Sequence, residues 1–265
     1  MTFVQDITLG QFYPAESPVH RLDPRSKLIA MLLIMMFLMM TTKVPAYSFF
    51  TATLILSIFF ARLPLGLVLR NLKPFLWLFI LTFFLNLTYG TGQVLWTLPF
   101  LHFRITDQAL VRAGIYSFRI GLMIVYAAVF TLTTSPMDIT DGLARLFAPL
   151  KRFKIPVQEF AMMMTVAIRF IPLLLEEADR IKKAQTARGA HFEGNIVQRI
   201  RSLIPLIIPL FISAFRKADD LALAMEARCY RIGKERTSFN QLQFGIADYS
   251  VILAIALLGG MALAI

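Results

Sequence analysis

Few residues in this 265-residue chain have the types and spacing for making or breaking bonds. His20, His102 and His191 lie far apart, and none belongs to an H-E-x-x-H pair. The single cysteine, Cys229, follows Arg228. A neighbouring cation favours a thiolate, but with no base or second thiol at hand a small residue filling a helix end is the plainer reading. Asp138 and Asp141 are spaced i,i+3 near a helix start. That spacing suits a metal-binding acid pair, yet aspartates there ordinarily cap the helix and answer its dipole, and capping is the favoured reading. Gly233-Lys234-Glu235 lacks the first glycine and the hydroxyl of a phosphate-binding loop, and no G-x-S-x-G occurs. The sequence therefore names no catalytic, cofactor-binding or metal-ligating residue. What remains is a pair of guanidinium groups, Arg188 in Ala187-Arg188-Gly189 and Arg228 in Ala227-Arg228-Cys229. Arginine's planar fork can grip a carboxylate with two parallel hydrogen bonds. At a helix C-terminus it also answers the dipole, worth ~0.3–1 kcal/mol, which is the purely structural reading of the same residues.

Two long helical patterns must position these arginines. Phe160, Met163, Ala167, Phe170, Leu174, Ala178 and Ile181 alternate spacings of three and four, which makes one stripe on a helix. Ile204, Ile208, Phe211, Phe215, Ala218, Ala222, Met225 and Cys229 make another. Pro172, Pro205 and Pro209 fall inside the patterns and predict kinks or breaks. Gly189 and Gly194 punctuate the end of the first helix, and Gly233 that of the second. A shift of 40 residues lays Ala178-Asp179 on Ala218-Asp219 and Ala187-Arg188 on Ala227-Arg228. The two helices thus echo one another, and the echo includes the arginines.

Composition places the pair in a membrane protein. Hydrophobic residues make up 57% and charged residues 16%, against about 25% charged in soluble domains. Mean hydropathy is +0.67. Uncharged stretches predict five spans at Leu28–Thr42, Val44–Ala61, Pro74–Tyr89, Ile120–Met137 and Tyr249–Ile265, the fourth entered from as early as Ala109 and the last from nearer Phe244. The fold class is all-α, polytopic, with long amphipathic helices between spans four and five. Residues 1–136 hold four spans, 137–243 a charged cytoplasmic module, and 244–265 the last span. The middle region carries 17 of the 27 basic and 11 of the 16 acidic residues.

The net charge of +11 belongs to the membrane surface rather than to nucleic acid, because the cations flank apolar spans. Arg21, Arg25 and Lys27 precede span one, and Arg62, Arg70 and Lys73 fall between spans two and three. The positive-inside rule then puts the N-terminus in the cytoplasm and the C-terminus outside, in the cell membrane. Arg119 falls within span four. It makes a polar contact with another helix or subunit, or else it marks, with Arg112, a span that begins lower.

Several short motifs resemble one family. His20-Arg21-Leu22-Asp23-Pro24-Arg25-Ser26-Lys27-Leu28, leading into the first span, is similar to the corresponding segment of T components of energy-coupling factor (ECF) transporters. So are Thr133-Thr134-Ser135-Pro136 and the two arginine endings, although Cys229 replaces the commoner Gly or Ser. The resemblance runs along the whole chain. It implies the transmembrane scaffold of an ABC importer for vitamins or transition metal ions, binding two ATPase subunits and one small substrate-binding membrane S component. Arg188 and Arg228 would each dock in a groove of one ATPase, and the long helices would carry its motion to the S component. It implies no cofactor and no catalysis in this chain. A membrane-embedded enzyme acting on a lipid or prenyl substrate would need clustered acids or histidines, for which Asp138 with Asp141 is the only candidate. A secondary carrier would need polar residues on several spans, where only Arg119 stands out.

Overall fold

The computed structural model describes residues 12–41, 43–88, 94–98, 103–190, 192, 195–231 and 244–264. Its helices are α1 (Pro24–Met40), α2 (Val44–Ala61), α3 (Leu65–Arg70), α4 (Leu76–Thr88), α5 (Asp107–Thr133), α6 (Pro136–Leu146), α7 (Val157–Ala187), α8 (Ile196–Ala227) and α9 (Ile246–Ala264). Short 3-10 segments at Lys73–Phe75 and Ala148–Phe153 lead into α4 and α7. One antiparallel hairpin, β1 (Val94–Leu98) with β2 (Phe103–Thr106), sits between α4 and α5 and pairs Thr97 with Arg104. The helical reading of the sequence did not anticipate it. Gly194, Gly233, His102 and His191 lie outside the described residues.

The chain divides into two compact units, residues 12–142 with 244–264, and residues 143–231. The first is a helical bundle. α1 begins where Asp23 accepts the Arg25 N–H at 2.9 Å and Pro24 supplies a preset first turn. α2 ends where Arg62 turns left-handed at φ 52° and its N–H returns to the Ile58 and Phe59 carbonyls. Leu38 on α1 and Leu132 on α5 are fully buried, packed in one cluster with Tyr47, Phe50 and Leu54 of α2 and Tyr126 of α5. α9 reaches α1 because it carries glycine at the crossing. A Cβ on Gly259 would stand 2.1 Å from the Phe37 ring, so only a bare backbone admits that ring. The outer faces are apolar as well: Phe59 is 75% exposed. In water that would be a large cost, and in lipid it is none.

Among the described residues, five helical stretches are long and apolar enough to cross a membrane: Val44–Ala61, Leu65–Leu87, Asp107–Thr133, Val157–Ala187 and Ile246–Leu263. The number agrees with the sequence expectation, but the membership differs. α1 starts at Pro24 instead of Leu28 and is only 17 residues long. α7 enters instead, because its charges crowd into its second half while 160–175 carries only Arg169. The third stretch starts at Asp107, so Arg112 and Arg119 both lie well inside α5.

The second unit is an antiparallel helix pair. Lys217 Nζ on α8 lies 3.3 Å from Glu177 Oε2 on α7, and the Gln185 amide nitrogen donates to the Pro205 carbonyl at 3.5 Å. One residue number falls as the other rises, which fixes the opposed directions. Pro172, Pro205 and Pro209 sit inside these helices without breaking either one. Pro209 has no N–H for the Pro205 carbonyl four residues earlier, and Gln185 reaches across to that freed acceptor.

Candidate functional site

The two arginine endings are built alike. Arg188 is the C-cap that closes α7, with φ −86° and ψ 8°; Arg228 is the C-cap that closes α8, with φ −88° and ψ 13°. Past Arg188, the Gly189 N–H donates to the Thr186 carbonyl at 2.9 Å and the Ala190 N–H to the Gln185 carbonyl at 3.0 Å. Past Arg228, the Cys229 N–H donates to Glu226 at 2.8 Å and the Tyr230 N–H to Met225 at 2.9 Å. Each pair of bonds is a Schellman motif, which satisfies two carbonyls that a helix end would otherwise leave orphaned. The motif needs one left-handed residue, supplied by Gly189 at φ 88° and by Cys229 at φ 59°. Cys229 pays a steric cost for a turn that glycine takes freely. Ala187, Arg188, Gly189, Ala227, Arg228 and Cys229 are all exposed.

The 40-residue echo has a geometric counterpart. Glu177 and Lys217 are themselves 40 residues apart and face each other. Arg188 lies eleven residues past Glu177, and Arg228 eleven residues past Lys217. At ~1.5 Å per residue each arginine is about 16 Å from the ion pair, in opposite directions along the pair of helices. The ion pair thus marks a local pseudo-twofold point, with a guanidinium at either end of the hairpin. The predicted stripe of α8 faces outward: Ile204, Phe211 and Phe215 are 51%, 60% and 62% exposed. The neighbouring line of Leu206, Leu210, Ser213, Lys217 and Leu221 is the partly buried one. On α7, Phe160 and Met163 are exposed, while Phe170, Leu174 and Ile181 are partly covered.

In the bundle, the two short motifs that precede α1 and follow α5 come together. Lys27 Nζ donates to the Thr133 carbonyl at 3.0 Å and to the His20 carbonyl at 3.1 Å. The Thr133 carbonyl ends α5, so the ammonium meets the negative end of that helix. Ser26 Oγ lies 2.7 Å from the Asp23 carbonyl and 2.6 Å from Asp248 Oδ1. Asp248 Oδ1 also accepts the Asp23 N–H at 2.9 Å, and its Oδ2 accepts the Gly245 N–H at 2.8 Å. This buried carboxylate therefore fastens the start of α9 to the start of α1. Outside the spans, His20 Nδ1 is 2.6 Å from Ser17 Oγ and Nε2 is 3.0 Å from the Tyr13 carbonyl. The carbonyl can only accept, so Nε2 carries the proton and Ser17 donates to Nδ1. Partial burial, the largest influence, holds this imidazole below its ordinary pKa, in keeping with the neutral form.

Asp138 is occupied at the start of α6. It accepts the Ser135 hydroxyl at 2.6 Å, while its N–H donates to Ser135 Oγ at 3.1 Å, a reciprocal cap. Arg119 Nε donates to the Tyr47 hydroxyl at 2.9 Å, Nη2 donates to the Thr41 carbonyl, and the guanidinium lies over the Tyr47 and Tyr116 rings. Its charge is met by α2 and by the end of α1. Asp248 and Tyr47 were not singled out from the sequence. An acid at the head of an otherwise uncharged span was the available signal for the first. Nothing local marked the second.

The bundle and its exposed helix pair define a multi-pass membrane protein with large uncovered apolar faces. Residues 15–239 match the family described as CbiQ, cobalt transport protein. The chain is 46% identical over 244 residues to the energy-coupling factor transporter transmembrane protein EcfT of Acidaminococcus fermentans, covering 92% of this chain and 90% of that one. It is 44% identical over 256 residues to EcfT of Thermosediminibacter oceani, covering 96% of both. It is 38% identical over 260 residues to EcfT of Bacillus subtilis, covering 97% of both. The chain belongs to the CbiQ family and, within it, to the transmembrane components of energy-coupling factor transporters.

Proposed function

We propose that this chain is the non-catalytic coupling scaffold of its transporter. Two ATPase subunits dock at Arg188 and Arg228, and a substrate-binding S component sits on the apolar faces of α7 and α8. The cargo is a vitamin or a transition metal ion. The observation that carries the reading is the pair of matched helix ends: identical caps, exposed guanidinium groups, and equal reach on either side of the Glu177–Lys217 contact. Two like engines need two like handles. Each handle suits an acidic groove, where the fork binds a carboxylate bidentately. Movement of one tip is transmitted because a continuous helix of about 30 residues is a stiff rod some 45 Å long. On this reading residues 137–243 are the cytoplasmic coupling module, the apolar half of α7 serving as a docking face rather than as a span, and the chain lies in the cell membrane with its N-terminus inside.

The test is Arg188→Ala with Arg228→Ala in the assembled transporter. ATPase co-purification and uptake into vesicles should both fall to background, while membrane insertion and thermal stability of the bundle stay unchanged. Wild-type uptake in the double variant would end the proposal. Each single variant should retain one docked ATPase.

A further inference from the structure

We propose that the turn between α6 and α7 is a binding site for the phosphate of an anionic phospholipid headgroup. A cavity of about 350 Å³ opens there, lined by Arg145, Lys151 and Lys154 against a single acid, Glu159, with Gln158 as a further polar group. From 143 to 158 the chain carries four cations, Arg145, Lys151, Arg152 and Lys154, and no acid. Three features converge on an anion.

The first is this charge excess around a concave wall. The second is the N-terminus of α7, whose first residues, Val157, Gln158 and Glu159, line the same cavity. No side chain caps that end, and a 31-residue helix presents partial positive charge there. The third is backbone conformation. Lys154 stands at φ 61°, the left-handed region, where a side-chain-bearing residue costs more than glycine would. That conformation closes the 3-10 turn through the Lys154 N–H to the Lys151 carbonyl at 3.0 Å, and both lysines line the cavity.

The neighbours argue for lipid as the source of the anion. Phe153, between Arg152 and Lys154, is 80% exposed, and Phe147 and Ile155 are exposed too. An aromatic ring held in water between cations is costly, whereas at a bilayer interface it sits at headgroup level. In sequence, Leu143 follows the end of α5 by only ten residues. Anionic lipid, concentrated at such a surface, suits both a basic cavity and exposed rings.

The experiment uses the full chain in nanodiscs of phosphatidylcholine mixed with phosphatidylglycerol, which supplies the anionic surface that attracts basic segments. Lipid retained through detergent extraction is quantified by mass spectrometry. The wild type should retain phosphatidylglycerol over phosphatidylcholine, with each cation contributing about fivefold. Arg145→Gln with Lys151→Gln and Lys154→Gln should bring the retained ratio down to that of the surrounding bilayer. Arg180→Gln with Lys183→Gln, which removes two cations from the second half of α7, should leave it unchanged. If the triple variant fails to insert, Lys154→Gln alone should lower retention about fivefold. Equal loss in both sets, or full retention in the triple variant, overturns the site. A second arm titrates inorganic phosphate into the chain in pure phosphatidylcholine nanodiscs. Saturable binding there that the triple variant abolishes, without phosphatidylglycerol enrichment in the first arm, would make the ligand a free anion and overturn the lipid assignment. Neither arm depends on the ATPases, so failure here and failure of the coupling reading are distinguishable.

Discussion

The bundle and the helix pair are made of similar residues and solve opposite problems. In the bundle, polar groups inside the fold are tied to one another. Asp248 takes up two backbone N–H groups and a hydroxyl, Lys27 closes two carbonyls, and Arg119 is held by Tyr47 and Thr41. Side chains such as Leu38 and Leu132 disappear from the surface. In the helix pair most apolar side chains stay uncovered. None of the apolar window of α7 is buried within the chain, and α8 turns Ile204, Ile208, Phe211 and Phe215 outward. Its contacts across the pair include a partly exposed ion pair and a long hydrogen bond. A fold that spends its interactions internally is a platform. A fold that leaves them open is an interface, and its order depends on what covers it.

On the proposed reading, loss of both arginines should give the largest effect, because it removes ATPase docking while sparing the bundle. The converse variant is Asp248→Ala. It strands the Asp23 and Gly245 N–H groups and the Ser26 hydroxyl in a buried position. The bundle should lose about 2–4 kcal/mol, read as a lower thermal midpoint in detergent, with the arginine ends still able to bind ATPase weakly. Asp248→Asn, which keeps one acceptor oxygen, should recover about half of that loss. If Asp248→Ala unfolded the helix pair as cooperatively as the bundle, the two regions would be one stability unit and the contrast would fail.

The prolines test the same contrast from the other side. Pro209→Ala gives the Pro205 carbonyl an N–H of its own helix and removes the need for Gln185. Interior proline costs a helix about 3 kcal/mol, so α8 should become stiffer and more protected from hydrogen exchange. If the softened turn serves coupling, ATP hydrolysis should continue while uptake per ATP falls, and Pro172→Ala should act the same way on α7. Unaltered coupling in both would leave the prolines as tolerated interruptions.

How much of this was legible in the sequence differs between the regions. The α2 span was read to the residue because Lys43 and Arg62 bracket it. The α1 start was misplaced by four residues: Lys27 was taken as a flank, whereas its stem lies inside the helix and its ammonium closes α5. Periodicity found the α8 stripe but could not tell which of two apolar faces meets α7, because both are apolar and the pairing is set by Glu177 and Lys217. The Asp23–Ser26–Asp248 fastening joins residues more than 220 apart, and no local pattern carries such a contact. The β1–β2 hairpin was hidden by an uncharged run that reads equally well as a broken span.

The smallest expected effect isolates the helix ends themselves. Gly189 and Cys229 hold the same left-handed place in the same cap, yet only glycine does so without steric cost. An L-residue there loses about 1–2 kcal/mol, partly offset by glycine's greater freedom in the unfolded chain at about 0.5–1 kcal/mol. Cys229→Gly should therefore firm the α8 end by about 0.5–1 kcal/mol, seen as slower amide exchange at Cys229 and Tyr230, whose N–H groups make the cap. Gly189→Ala should loosen the α7 end by a similar amount. Because Arg188 and Arg228 hang on those caps, the two changes should shift ATPase affinity in opposite directions, by a few-fold at most. If affinity is indifferent to both, the arginines act as tethered charges and need no fixed backbone. If it follows the caps, the matched geometry of the two ends is itself part of how the scaffold grips its engines.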